Sequence, residues 1–365
     1  MEKGFLPREN LSQLHAVLCQ QGYKVIGPQV KDGAIVFDGL RDIADLPWGI
    51  VEHTEAGAYR LEDTGDNRCF AWNNGPQGLK PWLFKSQQTV WRGEATSDGI
   101  RFKSEQPSPQ PLAFIGIRSC DISALYLQDK HFMHSAYADP WYTAQRKQLC
   151  LIAVNCSRSN DTCFCESTGD GVEATYGYDI LLDELDDGYL VDVKSERGRA
   201  ITAALPLQPG SQQHHKQAQR QLKNARHQQR VMPDAEQLLK LLEHLNDKHW
   251  QDIAERCLAC GNCTLTCPTC FCSKQEAEVE PVSGEHHQVR YWDSCFSEKH
   301  GYIAGMQLRG DVSQRYRQWM THKLATWQAQ YDRSGCVGCG RCISWCPAAI
   351  DIVAEANLIL GDDHD

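Results

Sequence analysis

The sequence predicts an α+β fold in which a mixed α/β N-terminal domain precedes a helical C-terminal domain. The apolar runs Leu112–Ile117 and Leu149–Val154 are short and bounded by polar turns, which is typical of buried strands. Residues 11–20 and 120–127 repeat apolar side chains at helical spacing, which places helices among these strands. The last third of the chain, from Arg256, carries eleven of the 18 cysteines and predicts a different kind of unit.

Composition divides the chain into three segments. Residues 1–207 are predicted to form the mixed α/β domain, and residues 208–233 a polar linker. Between residues 208 and 230 the chain is rich in Gln, His, Lys and Arg, with Leu222 as its only large apolar side chain, which is typical of a linker or a solvated helix. Residues 234–365 are predicted to form the C-terminal domain, with an insert at 273–335.

One long amphipathic helix is predicted to lead into the cysteine-rich region. Pro233 and Asp234 are typical of a helix start. A common apolar face is predicted for Leu238, Leu239, Leu241, Leu242 and Leu245. We expect the helix to continue through Trp250 and Ile253 towards Cys257.

Charge and length exclude several classes of protein. The 365 residues include 47 acidic and 37 basic side chains, a net charge of −10, whereas a nucleic-acid binder needs clustered Lys and Arg. No apolar run reaches the about 18 residues of a membrane-spanning helix, and the first residues lack the apolar core of a signal peptide. We therefore expect a cytoplasmic protein, in which closely spaced cysteines are metal ligands or redox groups rather than disulfides.

Two cysteine runs have the spacing C-x2-C-x2-C-x3-C-P. The first comprises Cys257, Cys260, Cys263, Cys267 and Pro268, and the second comprises Cys336, Cys339, Cys342, Cys346 and Pro347. In such runs three cysteines hold one cluster and the fourth binds the neighbouring cluster. We therefore assign one 4Fe-4S cluster to Cys257, Cys260, Cys263 and Cys346, and another to Cys336, Cys339, Cys342 and Cys267. The prediction for this region is a helical dicluster ferredoxin-like domain that transfers single electrons.

A pair of zinc sites is the alternative, because C-x2-C also builds zinc ribbons. Zinc needs four ligands per site and has no use for the repeated third cysteine and the C-x3-C-P ending, so the spacing favours clusters. The glycines Gly261, Gly338 and Gly340 agree with clusters, since backbone that wraps closely around a cluster needs residues without Cβ.

A further set of cysteines lies upstream of the two ferredoxin runs. Cys120 and Cys156 follow the two predicted strands, and Cys163 and Cys165 complete the tight spacing C-x6-C-x-C. Because strand ends in one sheet can converge, these four thiolates are candidates for a third 4Fe-4S cluster. Spacing alone supports equally well a structural turn with inert buried thiols.

Three further cysteines lie between the two ferredoxin runs, namely Cys270, Cys272 and Cys295. They are interpreted as packing thiols near a cluster, because buried free cysteine is common, and they are not predicted to be ligands; ligands of a further group are the alternative. Motifs for other chemistry are absent from the sequence: it contains neither G-x-G-x-x-G nor G-x4-G-K-[ST], and neither a Ser-His-Asp grouping nor H-E-x-x-H. No nucleotide site and no catalytic residue are therefore predicted.

Taken together, these motifs resemble a known family. The segments that carry the resemblance are CLACGNCTLTCPTCFC, RYWDSC, CVGCGRCISWCP, KPWLF, GIRSCD, ADPWY, VNCSRSNDTCFC and GYDILLDEL. They are similar to the iron-sulfur β subunit of cytoplasmic NAD(P)-linked nickel-iron hydrogenases, also called sulfhydrogenases, a family that also contains the iron-sulfur electron-transfer subunit of anaerobic sulfite reductase. The resemblance extends from about Lys80 to Pro347. It departs from the family at Ser119, where proline is common, and at the last residue of KPWLFK.

The resemblance implies an electron-transfer subunit beside a flavin subunit that handles NAD(P), with the catalytic metal on the hydrogenase small and large subunits. It implies that the eight ferredoxin cysteines are ligands, and it favours a third cluster at Cys120, Cys156, Cys163 and Cys165. The same relay in anaerobic sulfite reductase is the alternative. Two other hypotheses are a self-contained reductase with its own flavin, for which no motif exists, and a colourless zinc-bearing scaffold.

Overall fold

The computed structural model describes residues 3–282 and 284–361. Its strands are Gly4–Pro7 (β1), Lys24–Lys31 (β2), Ala34–Gly39 (β3), Ile50–Glu55 (β4), Ala58–Asp63 (β5), Gln87–Thr96 (β6), Gly99–Ser104 (β7), Leu112–Ile117 (β8), Leu149–Val154 (β9), Ile180–Glu184 (β10), Gly188–Val193 (β11), Gln208–Pro209 (β12), Ser273–Val279 (β13), His286–Trp292 (β14), Tyr302–Ile303 (β15) and Met306–Gln307 (β16).

The α-helices are Leu11–Gln20 (α1), Lys80–Leu83 (α2), Ser119–Phe132 (α3), Pro140–Lys147 (α4), Glu196–Thr202 (α5), Gln212–Ala225 (α6), Ala235–Leu239 (α7), His249–Arg256 (α8), Asn262–Leu265 (α9), Val312–Thr321 (α10), Trp327–Tyr331 (α11), Arg341–Ser344 (α12) and Ile352–Gly361 (α13). Short 3₁₀ turns occur at Arg8–Asn10, Ile43–Asp45, Lys240–Leu242 and Glu298–Gly301, and one π-helical turn at His322–Thr326. The strands thus concentrate in the N-terminal part and the helices in the C-terminal part, which confirms the predicted α+β class.

An eight-stranded mixed sheet organises the N-terminal part, in the order β12-β1-β11-β10-β9-β8-β2-β3. Its centre is parallel, because β2, β8, β9 and β10 pair in the same direction, and its outer pairs are antiparallel. The two predicted strands are the central pair β8 and β9, with the predicted bounds and with every residue buried.

Burial on both faces explains why β8 and β9 are continuous apolar runs. Ala113 and Ile115 of β8 pack into the core cluster that includes Leu14 of α1, whereas Leu112 and Phe114 pack into the cluster on the opposite face. Side chains alternate between the two faces because the strand period is two residues. The central strands are therefore covered on both sides, and their carboxyl ends are left as the place where loops converge.

Residues 208–233 contain β12 and the helix α6. Ala218 and Ala225 of α6 are buried, and Gln221 donates a hydrogen bond to the carbonyl of Glu184 at 2.8 Å. A polar composition is compatible with this packing because small alanines form the buried stripe of the helix. The domain boundaries drawn from the sequence stay a prediction.

A hairpin from the insert joins the two parts of the chain. The strands β13 and β14 extend the β6-β7 hairpin of the N-terminal part into a four-stranded sheet in the order β13-β14-β6-β7. Val289 of β14 is buried, whereas every residue of β13 is exposed. The insert thus completes a sheet whose other half lies about 200 residues earlier in the chain.

The single long helix predicted from residue 234 is wrong. The segment is α7, a 3₁₀ turn at Lys240–Leu242 and, after a break, α8 beginning at His249. Asp247 favours a new helix start after the break, because its carboxylate accepts a hydrogen bond from the backbone N–H of His249 at 2.7 Å. Of the leucines expected on one face, Leu238 and Leu241 are buried, whereas the other three are exposed.

Candidate metal centres

The first three cysteines of the first ferredoxin run line one cavity together with Cys342 and Cys346 of the second run. Its four predicted ligands are Cys257, Cys260, Cys263 and Cys346, and the aromatic side chains of Phe296, Tyr316 and Trp319 close it. Cys260 is exposed and Leu258 beside it is 68% exposed, so this cavity lies close to the surface. The structure therefore brings together the four thiols assigned to the first cluster, including the one from the distant run. These four cysteines are the first group.

The two runs adopt the same local geometry. Gly261 and Gly340 have φ angles of +77° and +71°, and each precedes a one-turn helix, α9 or α12. This left-handed conformation is accessible to glycine without the penalty that a Cβ carries. Backbone N–H groups then point back at sulfur: Ala259 donates to Cys257 Sγ at 3.4 Å, and Gly338 donates to Cys336 Sγ at 3.5 Å.

The second group contains Cys336, Cys339, Cys342 and Cys267, and electrostatic interactions link the first three to Cys267. Burial raises the pKa of the Cys342 thiol well above its usual value, and its other neighbours include Cys263 of the first group. Bare thiolates are unfavourable in such surroundings, whereas a bound metal compensates the buried negative charge. The two groups are neighbours, as the crossing of the fourth cysteines predicts.

The third group lies at the carboxyl ends of β8 and β9. Cys120 is in the first turn of α3, Cys156 follows β9, and Cys163 and Cys165 lie in the next loop. All four thiols are only 5–9% exposed. Burial raises the pKa of Cys163, as does the proximity of Cys165 and Cys156, and Cys165 also interacts with Cys120. The two adjacent parallel strands thus bring together the cysteines that the sequence separates.

The second and third groups are in direct contact through the backbone. Phe164 donates a hydrogen bond from its N–H to the carbonyl of Gly338 at 2.9 Å. A Cβ on Gly338 would lie 2.4 Å from Cys165 Cα, and a Cβ on Gly340 would lie 2.2 Å from the carbonyl oxygen of Thr162. Glycine is therefore required at both positions by close approach as well as by φ.

Two amide side chains supply donors to the third group. Gln228 donates to Cys165 Sγ at 3.2 Å. Asn74 lies between the groups: its Nδ2 donates to the carbonyl of Cys339 at 2.7 Å and is 3.9 Å from Cys163 Sγ. Hydrogen bonds to sulfur are one of the determinants of a cluster's reduction potential. No motif in the sequence singled out these amides.

Buried cations are the main feature that the sequence did not reveal. Lys323 donates to Thr269 Oγ1 at 2.8 Å, and the thiols Cys267 and Cys270 raise its pKa even though burial alone would lower it. Lys80, in the segment KPWLFK, donates to the carbonyls of Thr264 and Leu265 at 3.1 and 2.9 Å. These lysines place positive charge beside the predicted anionic clusters.

Arg341 supplies a third buried cation, between the second and third groups. Its guanidinium lies 2.9 Å from Asp121 Oδ1, and both side chains are 1% exposed. Its charge also interacts with Cys339 and Cys120. The only sequence signal for these cations was position: Arg341 lies inside the second ferredoxin run, and Lys80 lies in a family-like segment.

The spacing of the thiols bears on the choice between clusters and zinc. Within residues 3–282 and 284–361, no three of the twelve predicted ligand thiols lie within 4.8 Å of one another. Ligands of one tetrahedral ion must be that compact, whereas a cuboidal cluster holds its thiolates on four separate iron atoms. The donors, all of them thiols, therefore fit 4Fe-4S clusters.

Comparison with known proteins agrees with this geometry. A family model described as a 4Fe-4S dicluster domain matches residues 256–350. The curated protein Sulfhydrogenase 2 subunit beta of Pyrococcus furiosus is 32% identical over 248 residues, which are 65% of this chain and 71% of that relative. The chain belongs to the sulfhydrogenase β-subunit family.

Membership of the sulfhydrogenase β-subunit family confirms the resemblance drawn from the motifs, and the dicluster match confirms an iron-sulfur protein. No solved structure matched the chain. Among the described residues, no helix is both long enough and apolar enough to cross a membrane.

Proposed function

We propose that this chain is a cytoplasmic electron-transfer subunit of a multi-subunit hydrogenase. It relays single electrons between a partner that binds flavin and NAD(P) and a nickel-iron module of small and large hydrogenase subunits. The observation that carries this proposal is the cavity in which Cys346 of one run joins Cys257, Cys260 and Cys263 of the other. When bound, 4Fe-4S clusters accept and release one electron each, so two adjacent sites suit a relay.

We also propose that Cys120, Cys156, Cys163 and Cys165 hold a third 4Fe-4S cluster. Support comes from four buried thiols without a disulfide, from the amide donor of Gln228 on Cys165, and from the contact with the second ferredoxin run at Gly338. The buried cation Arg341, whose charge interacts with Cys120, also suits a group that carries negative charge.

The second group neighbours both of the others. Cys263 of the first group interacts with Cys342 of the second, and Cys339 of the second interacts with Cys120 of the third. Cys260 of the first group is exposed. We expect one redox partner to dock at the first group, because electron transfer needs a short distance between centres.

The chain's own residues hold and tune the sites. Backbone N–H groups such as that of Gly338 donate to sulfur, and Phe296 and Trp319 limit the access of water to the first cavity. Lys80 and Lys323 offset negative charge at the second group. Positive charge and donors near a cluster favour its reduced form, so these residues are expected to raise its reduction potential.

An anaerobic pull-down of this chain from its native host, with co-purifying subunits identified by mass spectrometry, tests the proposed function. A partner that carries paired nickel-binding C-x2-C motifs supports the hydrogenase relay. A partner that binds sirohaem would transfer the relay to sulfite reduction. Flavin released from the chain alone on denaturation would instead support a self-contained reductase.

A further inference from the structure

The base of the hairpin β13-β14 brings together three side chains that the relay does not use. Cys272 immediately precedes β13 and Cys295 follows β14, and the register pairs Ser273 with Trp292 at the open end of the hairpin. The backbone N–H of Asp293 donates to the carbonyl of Cys272 at 2.9 Å, which closes this end. The 3₁₀ turn Glu298–Gly301 then returns His300 to the same place.

The geometry of this group matches a single tetrahedral ion. Cys272 Sγ and Cys295 Sγ are 3.7 Å apart. Both sulfurs and a ring nitrogen of His300 lie within 4.8 Å of one another. Two thiolates at zinc–sulfur bonds of about 2.3 Å and a tetrahedral angle lie about 3.8 Å apart, so an ion fits between them with little movement. This compactness distinguishes the group from the twelve thiols assigned to clusters.

The surroundings of His300 support a metal ligand. Its Nδ1 lies 2.7 Å from Asp293 Oδ2, and the carboxylate is only 9% exposed. Asp293 is itself held, since its Oδ1 accepts a hydrogen bond from the N–H of Ser294 at 2.8 Å. A carboxylate on one ring nitrogen is the usual device that orients a metal-bound histidine and leaves Nε2 for the ion.

We propose that Cys272, Cys295 and His300 bind one zinc(II) ion, with solvent at the fourth position and Asp293 orienting the histidine. Two thiolates and one imidazole are a soft donor set that zinc prefers. Zinc has no redox chemistry under these conditions, so the ion takes no part in the relay. The zinc ion instead holds the base of the insert hairpin against the following 3₁₀ turn. Cys272 lies five residues after Cys267, which belongs to the second group.

The test is a metal count on the full chain, purified anaerobically with its iron in place and incubated with one equivalent of Zn²⁺. We expect about one zinc per wild-type chain. The Cys295→Ser and His300→Gln variants should each lose at least tenfold in zinc affinity in competition with a chelator, and Asp293→Asn about 10–100-fold, all with unchanged iron. Cys19→Ser, which removes an exposed thiol on α1, is the control and should retain zinc.

X-ray absorption at the zinc edge of the wild-type chain supplies a second readout that does not depend on the folding of a variant. Two sulfur ligands at about 2.3 Å with nitrogen and oxygen at about 2.0–2.2 Å support the site. Four sulfur ligands would place zinc in a cluster position and overturn the proposal. Wild-type chain that binds no zinc, zinc retained by both ligand variants, or a disulfide between Cys272 and Cys295 after anaerobic purification would overturn it as well.

Discussion

Gly338→Ala tests the contact between the second and third cysteine groups. Gly338 has a φ of +63°, and a Cβ there would lie 2.4 Å from Cys165 Cα and 2.5 Å from its backbone nitrogen. The left-handed conformation costs a residue with a Cβ about 1–2 kcal/mol. Because backbone cannot rotate away as a side chain can, forcing the two segments apart costs about a further 1–3 kcal/mol. The expected total is about 2–5 kcal/mol.

Gly65→Ala is the matched control and carries the first of these two costs alone. Gly65 has a nearly identical φ of +66°, and nothing lies within 4 Å of the position of its Cβ. Its substitution should therefore cost only about 1–2 kcal/mol of backbone strain. The difference between the two variants, about 1–3 kcal/mol, measures the contact itself.

The assay is anaerobic urea unfolding of the iron-loaded full chain, followed by the visible absorbance of the clusters and by tryptophan fluorescence. Gly338→Ala should unfold at a clearly lower urea concentration than Gly65→Ala, and it should hold less iron, because the loop of Cys163 and Cys165 is displaced. Equal midpoints and equal iron contents for the two variants would refute the packing of the second run on the third group.

Three further predictions concern the second group and its surroundings. Cys267→Ser should remove about four iron atoms per chain, because Cys336, Cys339 and Cys342 all interact with Cys267. Cys270 lies outside the C-x2-C-x2-C-x3-C-P spacing, so Cys270→Ser should leave the iron count unchanged, and equal losses would contradict the assignment. Lys323→Met removes a buried positive charge and should lower the reduction potential of that cluster by roughly 50–100 mV in an EPR-monitored titration, and an unchanged potential would contradict this. Burial lowers the pKa of His322 to about 4 in the folded chain, below the unfolded value of about 6.5. The contribution of His322 to the free energy of unfolding is therefore fully present above pH 6.5 and is lost as the pH drops towards 4. His322→Gln should therefore lose less urea resistance between pH 7 and pH 5.5 than wild type, and a parallel loss would be the contrary result.

Short stretches of sequence predicted those elements in which the pattern of apolar residues matches the burial seen in the structure. The strands β8 and β9 have the predicted bounds because each is buried on both faces, which requires a continuous apolar run. The convergence of Cys120 and Cys156 followed from the same reasoning, since neighbouring parallel strands end at the same edge of a sheet. These features depend on short stretches of chain whose character is visible in the sequence.

Features that depend on contacts between distant parts of the chain could not be predicted from the sequence. Lys323 is buried beside Cys267 and Cys270, a position that only the assembled helices define, and lysine in a polar segment is ordinarily exposed. The leucine pattern predicted one continuous helix, but the chain breaks before α8. The Asp247 carboxylate accepts a hydrogen bond from the backbone N–H of His249, and this bond competes with continued helical hydrogen bonding. The grouping of Cys272 with His300 arises from hairpin register and a single 3₁₀ turn, neither of which residue spacing specifies.

The most direct test of the relay is a count of iron and acid-labile sulfide on the anaerobically reconstituted full chain, combined with EPR during stepwise reduction. The account predicts a brown protein with about twelve iron atoms per chain, at four per 4Fe-4S centre, that accepts electrons one at a time. About eight iron atoms would contradict the third cluster. A colourless chain that binds no iron and gives no EPR signal on reduction would contradict the relay itself.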